Sequence, residues 1–211
     1  MKTTPFKSAV LYTVGHSNRT FEEFLGLLRA HHIGRIVDVR TVPKSRRVPW
    51  FNKEDLAPAL NKANISYAYL PELGGLRHSK KDSTNMGWKN TSFRGFADYM
   101  DTPEFEKGLE KLNEMLPTLK TAIMCAEAVP WRCHRSLIAD AETARGVSVE
   151  HLMNPTSVKS HEMTSFAVVN KKISPPRVTY PAYEEKKDQP EFPNMPPAAT
   201  PFGPRRMPPR Y

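Results

Sequence analysis

The segment CAEAVPWRCHRS at residues 125–136 concentrates the reactive side chains of this sequence. Cys133, His134 and Arg135 are predicted to lie in the first turn of a helix. Unpaired N–H groups at a helix start attract anions and favour a thiolate, and a guanidinium adds a two-pronged donor for phosphate. These residue types suit a thiolate nucleophile, either Cys125 or Cys133, beside an anion pocket. Phosphoryl, acyl and glycosyl transfer are the reactions open to such a thiolate.

The same segment is open to other interpretations. One places a metal ion on Cys125, Cys133 and His134. In that case His16 would lie in reach and Glu127 would act as acid or base. Another is anion binding without catalysis. Both thiols could instead be small, buried core residues, as cysteines often are.

Further polar residues follow each of the first three predicted strands. In open α/β sheets, ligands bind beyond the carboxyl ends of the strands, so these residues are candidates for the same site. A histidine there could transfer protons, and adjacent glycines let the backbone approach a ligand. A buried ion pair is the competing interpretation of Asp38 and Arg40. The candidates are His16 for proton transfer and, for substrate or anion binding, Ser17, Asp38, Arg40, Glu72, Gly74, Gly75 and Arg135.

Alternating apolar patterns predict the elements that bring these residues together. Short β-branched runs predict strands at residues 10–14, 35–39, 65–70, 121–125 and 147–152. Apolar residues at helical spacing predict helices at 21–28, 54–63, 93–100, 103–116 and 133–145. This alternation implies an α/β domain of three layers, with a mostly parallel, Rossmann-like sheet of about five strands and helices on both faces. Four loops would then deliver the candidate residues to one edge of the sheet.

Two local features refine this prediction. Thr20 and Glu23 have the spacing of a capping box, which predicts the start of the first helix. The loop at 71–92 is long enough to be a functional lid or a disordered segment. Within and after it, Trp88 and Phe93 would either close over the pocket or pack in the core.

The composition bounds the class of protein. The 211 residues carry 31 Lys and Arg against 22 Asp and Glu, and the net charge of +9 favours phosphate-bearing partners, either small molecules or nucleic acid. No apolar run is long enough to span a bilayer, and the first ten residues lack a signal core. Two cysteines cannot make a disulfide framework. We therefore expect a cytoplasmic protein with reduced thiols and no membrane partner.

The composition changes near residue 166, which predicts the end of the α/β domain. Of the 20 prolines, 11 lie between Pro175 and Pro209, among few aliphatic residues. Such a segment buries too little apolar surface to offset its ordering entropy. We therefore expect a domain at 1–165 and a basic, disordered tail at 166–211. The tail is a plain linker, a proline-rich docking segment for a protein partner, or a weak electrostatic arm.

A series of motifs points to a known family: VGHSNRTFEEF, VDVR, FN, LPELGG, SFRGFADYM and MCAEAVPWRCHRSLIAD. Over residues 11–152 the chain resembles the bacterial-type family called domain of unknown function 488. The resemblance implies no particular reaction. The segment beyond Phe166 is not part of the resemblance. It implies a compact α/β domain whose site gathers Gly15, His16, Ser17, Asp38, Arg40, Glu72, Cys125, Glu127, Cys133, His134 and Arg135.

Taken together, the residues favour an intracellular enzyme, a thiol- or metal-assisted transferase or hydrolase. Its substrate would be a nucleotide or nucleic acid bound at the carboxyl edge of the sheet. One alternative is a non-catalytic nucleic-acid-binding module that uses the basic and aromatic loop at 44–52 together with the tail, and its binding would weaken steeply with salt. A second alternative is a metal-dependent hydrolase. In the leading hypothesis, the proton-transfer candidates are His16, Glu127 and His134.

Overall fold

Parallel strands form the centre of the structure, a computed structural model that describes residues 10–182. The order across the main sheet is β3-β2-β4-β1-β5-β6, with β6 antiparallel to β5 and all other pairs parallel. The five predicted strands are confirmed, with ends that shift by one or two residues. The main sheet comprises β1 (Val10–Gly15), β2 (Arg35–Asp38), β3 (Ser66–Tyr69), β4 (Thr121–Cys125), β5 (Ser148–Asn154) and β6 (Ser157–Ser160).

Five α-helices connect these strands: α1 (Phe21–Ala30), α2 (Lys53–Lys62), α3 (Thr91–Tyr99), α4 (Pro103–Met115) and α5 (Arg135–Ala144). The predicted capping box is present, because Thr20 accepts from the Glu23 N–H and the Glu23 carboxylate accepts from the Thr20 N–H. Helix α5 begins two residues later than predicted, so Cys133 and His134 lie just before it. Within the described residues, no helix combines the length and apolarity needed to cross a bilayer.

Two apolar cores lie on opposite faces of the sheet. Successive residues of a strand point to opposite faces, and the buried strands here are apolar on both. Ile36 and Ala122 pack with side chains of α1 and α2. Their neighbours Val37 and Ile123 pack with side chains of α3, α4 and α5. The predicted three-layer α/β architecture is therefore confirmed.

The connections create a crevice at the carboxyl edge of the sheet. The chain leaves β1 and β2 toward the face covered by α1 and α2, and it leaves β3 and β4 toward the opposite face. Strands β2 and β4 are neighbours, so the loops that follow them diverge to opposite sides. Ligands of open α/β sheets bind at such a switch point.

The chain remains folded beyond the predicted domain end. Strands β7 (Val168–Asn170) and β8 (Arg177–Thr179) pair antiparallel in a second, two-stranded sheet. Tyr180 is fully buried, and its ring packs beside Trp88 and Phe166. The folded part of the chain therefore extends beyond the boundary predicted near residue 166. A few apolar residues among the many prolines pack this extension against the core. The rest of the predicted tail, 183–211, lies outside the described residues.

The long loop before α3 is fastened to the core. Trp88 stacks on Phe93 with ring centroids 4.7 Å apart, so Trp88 packs in the core. The backbone N–H of Gly87 donates to the Tyr180 carbonyl at 2.9 Å. The buried carboxylate of Asp98 on α3 accepts hydrogen bonds from Lys80, Ser83 and Asn85.

Candidate functional site

A cavity of about 330 Å³ lies in the crevice between β2 and β4. It is walled by the segments that follow β2, β3 and β4 and by the start of α3. The volume falls in the range of small-molecule sites. Six of the residues singled out from the sequence line it: Arg40, Gly75, Cys125, Glu127, Cys133 and His134.

Other lining residues were not among the predicted site residues. Arg132 brings a second guanidinium to the cavity, and its position inside the segment 125–136 is the signal that could have found it. Phe93 gives the cavity an aromatic wall, which is one of the two positions predicted for it from the sequence. Val42 and Leu76 line the same cavity although they are 57% and 73% exposed. Nothing in their sequence context marks these two, because isolated surface apolar residues are common.

The fold joins the two cysteines into one thiol pair. Cys125 ends β4, Cys133 precedes α5, and both buried side chains line the same cavity. Burial by itself raises the pKa of Cys133, but the hydrogen bond from Cys125 and the charges of His134 and Arg135 hold that pKa well below its ordinary value. Burial and the shared hydrogen bond raise the pKa of Cys125 well above its ordinary value. Of the two thiols, Cys133 is therefore the more acidic and Cys125 the less acidic.

Arg135 is the cation beside this pair. Its side chain is 1% exposed, and its Nε donates to Cys125 Sγ at 2.9 Å. Its Nη2 donates to the Glu127 carbonyl at 2.7 Å, and its backbone N–H donates to Cys133 Sγ at 3.5 Å. Among the described residues, no carboxylate forms an ion pair with it. Because a guanidinium stays charged and a buried charge needs partners, the sulfur of Cys125 and the Glu127 carbonyl stabilise it.

This position differs from the anion-binding role predicted for Arg135. The guanidinium lies behind the sulfur atoms and not among the residues that line the cavity. Sequence spacing does not reveal this, because a residue in the first turn of a helix can point either outward or under the helix. The guanidinium groups that border the cavity are those of Arg40 and Arg132.

His134 presents one ring nitrogen to the thiolate. Its Nε2 lies 3.1 Å from the Val39 carbonyl, which only accepts, so Nε2 carries a proton. The other nitrogen, Nδ1, lies 3.6 Å from Cys133 Sγ. A Cβ at Gly75 would lie 2.5 Å from this Nδ1, so a glycine lets the ring fit there. His134 is therefore placed to exchange a proton at the cavity wall.

Arg40 reaches the cavity from a buried ion pair. Its Nε and Nη2 donate to the two carboxylate oxygens of Asp38 at 2.9 and 2.6 Å. Tyr67 donates to Asp38 Oδ2 at 2.8 Å, so this carboxylate is fully engaged. Asp38 is fully buried and serves to orient Arg40.

His16 also serves Arg40 in this structure. Its Nε2 accepts from Arg40 Nη1 at 3.2 Å, and its Nδ1 donates to the Ser17 carbonyl at 2.8 Å. The ring stacks on Phe51 with centroids 4.2 Å apart, and burial lowers its pKa to about 4. His16 is thus neutral at physiological pH, has both nitrogens engaged, and is not among the residues that line the cavity.

The last residue of β1 is a glycine because the backbone of another segment passes close to it. A Cβ at Gly15 would lie 1.8 Å from the carbonyl oxygen of Glu127 and 2.9 Å from Arg135 Nη2. That carbonyl is the acceptor that holds Arg135, so the loop after β4 must pass against a residue without a side chain. Gly74 plays a similar part, since its Cβ would lie 2.6 Å from Thr41 Oγ1.

Two other predicted binding residues lie away from the cavity lining. The carboxylate of Glu72 pairs with Lys111 on α4. Ser17 donates from its hydroxyl to Asn18 Oδ1 at 2.9 Å and takes a positive φ of 53° in the turn after β1. Within residues 10–182, no group of three or more His, Cys, Asp or Glu side chains is placed to hold a metal ion.

The fold and this site define an α/β protein with a parallel sheet and a buried thiol pair at its switch point. The family model described as "Domain of unknown function DUF488" matches residues 20–141, more than half of the chain. The chain belongs to this family, which confirms the resemblance seen in the motifs. No curated protein and no solved structure matches the chain.

Proposed function

We propose that this protein is a thiolate enzyme, a transferase or hydrolase, that acts on a phosphate-bearing substrate in the cavity between β2 and β4. The observation that carries the proposal is the pair of buried cysteines, which lies beside the buried Arg135 and lines a cavity of ligand size. A structural cysteine needs neither a charged partner nor access to a cavity. A nucleophile needs both.

The walls of the cavity support the choice of substrate class. Arg40 and Arg132 border it, and arginine binds phosphate with two parallel hydrogen bonds. Phe93, Val42 and Leu76 give it an apolar side against which a flat base could lie. A nucleotide combines these two chemistries. The net charge of +9 favours an anionic ligand over a neutral one.

The residues suggest a two-step reaction. The Cys133 thiolate forms a bond to the electrophilic phosphorus or carbon of the substrate, the bond from that atom to the leaving group breaks, and His134 or Glu127 gives the leaving group a proton. Water or an acceptor hydroxyl then adds at the same atom and returns a proton to that residue. The bond to sulfur breaks and the thiolate is restored.

Protection from alkylation tests the ligand part of the proposal. Adenosine monophosphate and inorganic phosphate are the probes, and the rate at which iodoacetamide modifies Cys133 is followed by mass spectrometry. We expect the nucleotide to slow modification in the wild type and in Arg46→Gln, an exposed arginine outside the cavity, but not in Arg132→Gln. If the nucleotide slowed modification equally in both variants, the assignment of the phosphate site to Arg132 would be wrong.

A separate screen tests catalysis. Phosphoesters, N-glycosides and thioesters of nucleotides are incubated with the protein, and products are separated by mass. We expect a turnover that Cys133→Ala abolishes and that Cys125→Ser reduces less. Turnover that survives loss of Cys133 would exclude the nucleophile.

One observation favours the nucleic-acid-binding alternative. Lys44, Arg46 and Arg47 are all exposed on the loop after β2. Of the two aromatic residues in that loop, Phe51 is buried against His16 and Trp50 is 38% exposed, so Trp50 is the one that could stack on a base. If Arg46→Gln and Arg47→Gln abolished binding of single-stranded RNA while both cysteine variants bound normally, this alternative would replace the enzyme.

A further inference from the structure

A chain of hydrogen bonds runs from Arg135 through the core, away from the cavity. Arg135 Nη1 donates to Thr13 Oγ1 at 3.2 Å, and Thr13 Oγ1 lies 2.7 Å from His151 Nδ1. His151 Nε2 lies 3.0 Å from His161 Nδ1. His161 Nε2 lies 2.8 Å from Asp140 Oδ1. We call these four residues beyond Arg135 the relay: Thr13, His151, His161 and Asp140.

We assign the donors of the relay to a single direction. Arg135 can only donate, so Thr13 Oγ1 accepts from it, and we assign the Thr13 O–H as the donor to His151 Nδ1. Burial lowers the pKa of His151 to about 3, so its ring is neutral and carries its one proton on Nε2. That proton is donated to His161 Nδ1. His161 therefore carries its own proton on Nε2 and donates it to Asp140.

The relay joins the buried cation to a buried anion. The Asp140 side chain is fully buried, and the His161 side chain is 5% exposed. The hydrogen-bond chain that begins at Arg135 thus ends on a buried carboxylate. Hydrogen bonds in such a series polarise one another, so the fully satisfied chain fixes the guanidinium in place.

Two further hydrogen bonds hold the Asp140 end of the relay in place. Asp140 Oδ1 also accepts from the Thr164 N–H at 2.9 Å, and Asp140 Oδ2 accepts from the Tyr180 hydroxyl at 2.8 Å. The family match covers residues 20–141, so Thr13, His151 and His161 lie outside it, as does Tyr180. Residues on both sides of the matched region therefore form most of the hydrogen-bond chain behind the thiol pair.

We propose that Thr13, His151, His161 and Asp140 are positioning residues, which hold the Arg135 guanidinium against the sulfur of Cys125 and so set the reactivity of the thiol pair. The proposal rests on the thiolate site of the proposed function but on no particular substrate. It assigns a role to two histidines that the sequence leaves without one.

The variant pair Thr13→Val and Thr13→Ser tests this role. Valine has the shape of threonine without the hydroxyl, whereas serine keeps the hydroxyl. The charged and titratable groups that face the sulfur atoms stay unchanged in both variants: His134 and Arg135 of α5, Glu127 and Arg132 of the preceding loop, and Arg40 after β2.

The readout is the alkylation rate of Cys133 from pH 5 to 10, mapped by mass spectrometry. We expect Thr13→Val to move the profile toward that of an ordinary thiol and to slow the reaction at pH 7 roughly tenfold, because one charge-assisted hydrogen bond is lost. Thr13→Ser should follow the wild type. An unshifted Thr13→Val profile, or an equal shift in both variants, would overturn the relay.

A second measurement on the wild-type protein needs no variant to fold. Nitrogen-15 NMR of the histidine rings distinguishes a protonated from an unprotonated ring nitrogen. We expect His151 to keep its proton on Nε2 and none on Nδ1 from pH 5 to 8. A His151 that titrates in this range, or that is protonated on Nδ1, would contradict the direction of the relay.

The outcomes separate the two proposals. If Cys133 of the wild type titrates as an ordinary thiol, the thiolate enzyme itself is refuted. If Cys133 of the wild type is a thiolate at neutral pH and Thr13→Val leaves it so, the relay alone is refuted.

Discussion

Replacing Arg135 by methionine removes the positive charge from the thiol pair and keeps much of the side-chain volume. The guanidinium donates to Cys125 Sγ at 2.9 Å, the Arg135 backbone N–H donates to Cys133 Sγ at 3.5 Å, and the side chain is 1% exposed. Without it, the Cys133 thiolate loses its main buried counter-charge. The sulfur should then take up a proton at neutral pH, because an unpaired buried charge is costly.

Coulomb's law for two neighbouring charges gives the order of magnitude. Two unit charges roughly 4 Å apart attract by about 4 kcal/mol at an effective dielectric constant of about 20. Water and relaxation in the variant offset part of this energy. Since each 1.36 kcal/mol is a factor of about ten in a protonation equilibrium, we expect the thiolate fraction at pH 7 to fall at least about tenfold.

Iodoacetamide modification at pH 7 measures this fraction, with Arg145→Met as the matched control. Arg145 caps the other end of α5 and pairs with Glu106 at 2.7 Å, so its loss changes the net charge equally without touching the thiols. We expect slow modification of Cys133 in Arg135→Met and a wild-type rate in Arg145→Met. Equal rates in all three folded proteins would refute the argument that Arg135 stabilises the thiolate.

Three further predictions follow from the geometry. Gly15→Ala should lower the free energy of unfolding by about 3 kcal/mol or more in urea titrations. As the control, Gly26→Ala should raise the free energy of unfolding by up to ~1 kcal/mol, because no atom lies within 4 Å of a Cβ at that position. If Gly15→Ala left the free energy of unfolding unchanged, the close approach of the Glu127 carbonyl would be contradicted. His16 binds a proton near pH 6.5 when unfolded but only near pH 4 when folded, so the unfolded chain takes up more protons between these values. Unfolding free energy should therefore decrease by about 3 kcal/mol from this group as the pH falls from 6.5 to 4, and a flat profile would argue against a buried neutral ring. Diamide, an oxidant of thiol pairs, should form a disulfide between Cys125 and Cys133, and the two thiols lose two protons and two electrons to it. If both thiols stayed free in the folded protein, the sulfur atoms would be too far apart to bond.

The architecture could be predicted because its signals are local. Each β-branched run and each helical spacing lies within one element, and the Thr20–Glu23 capping box spans four residues. The gathering of loops at one sheet edge follows from the alternation of strands and helices. Cys125, Cys133 and His134 could thus be placed near the cavity from sequence.

The roles within the site depend on contacts that sequence does not display. Thr13 and His151 are 138 positions apart, and neither carries a motif. Arg135 can be recognised as a cation but not as a buried one. The folded segment that ends at Tyr180 escapes prediction for the same reason, because its anchors are few and lie among prolines.

The pH profile of alkylation for each cysteine of the wild-type protein tests the central claim most directly. The two thiols are modified in the native state, mapped by mass spectrometry and compared with the unfolded chain. We predict that Cys133 reacts at a pH well below that of an ordinary thiol and that Cys125 reacts only well above it. Two cysteines that react alike, or that react only after unfolding, would contradict a thiolate site.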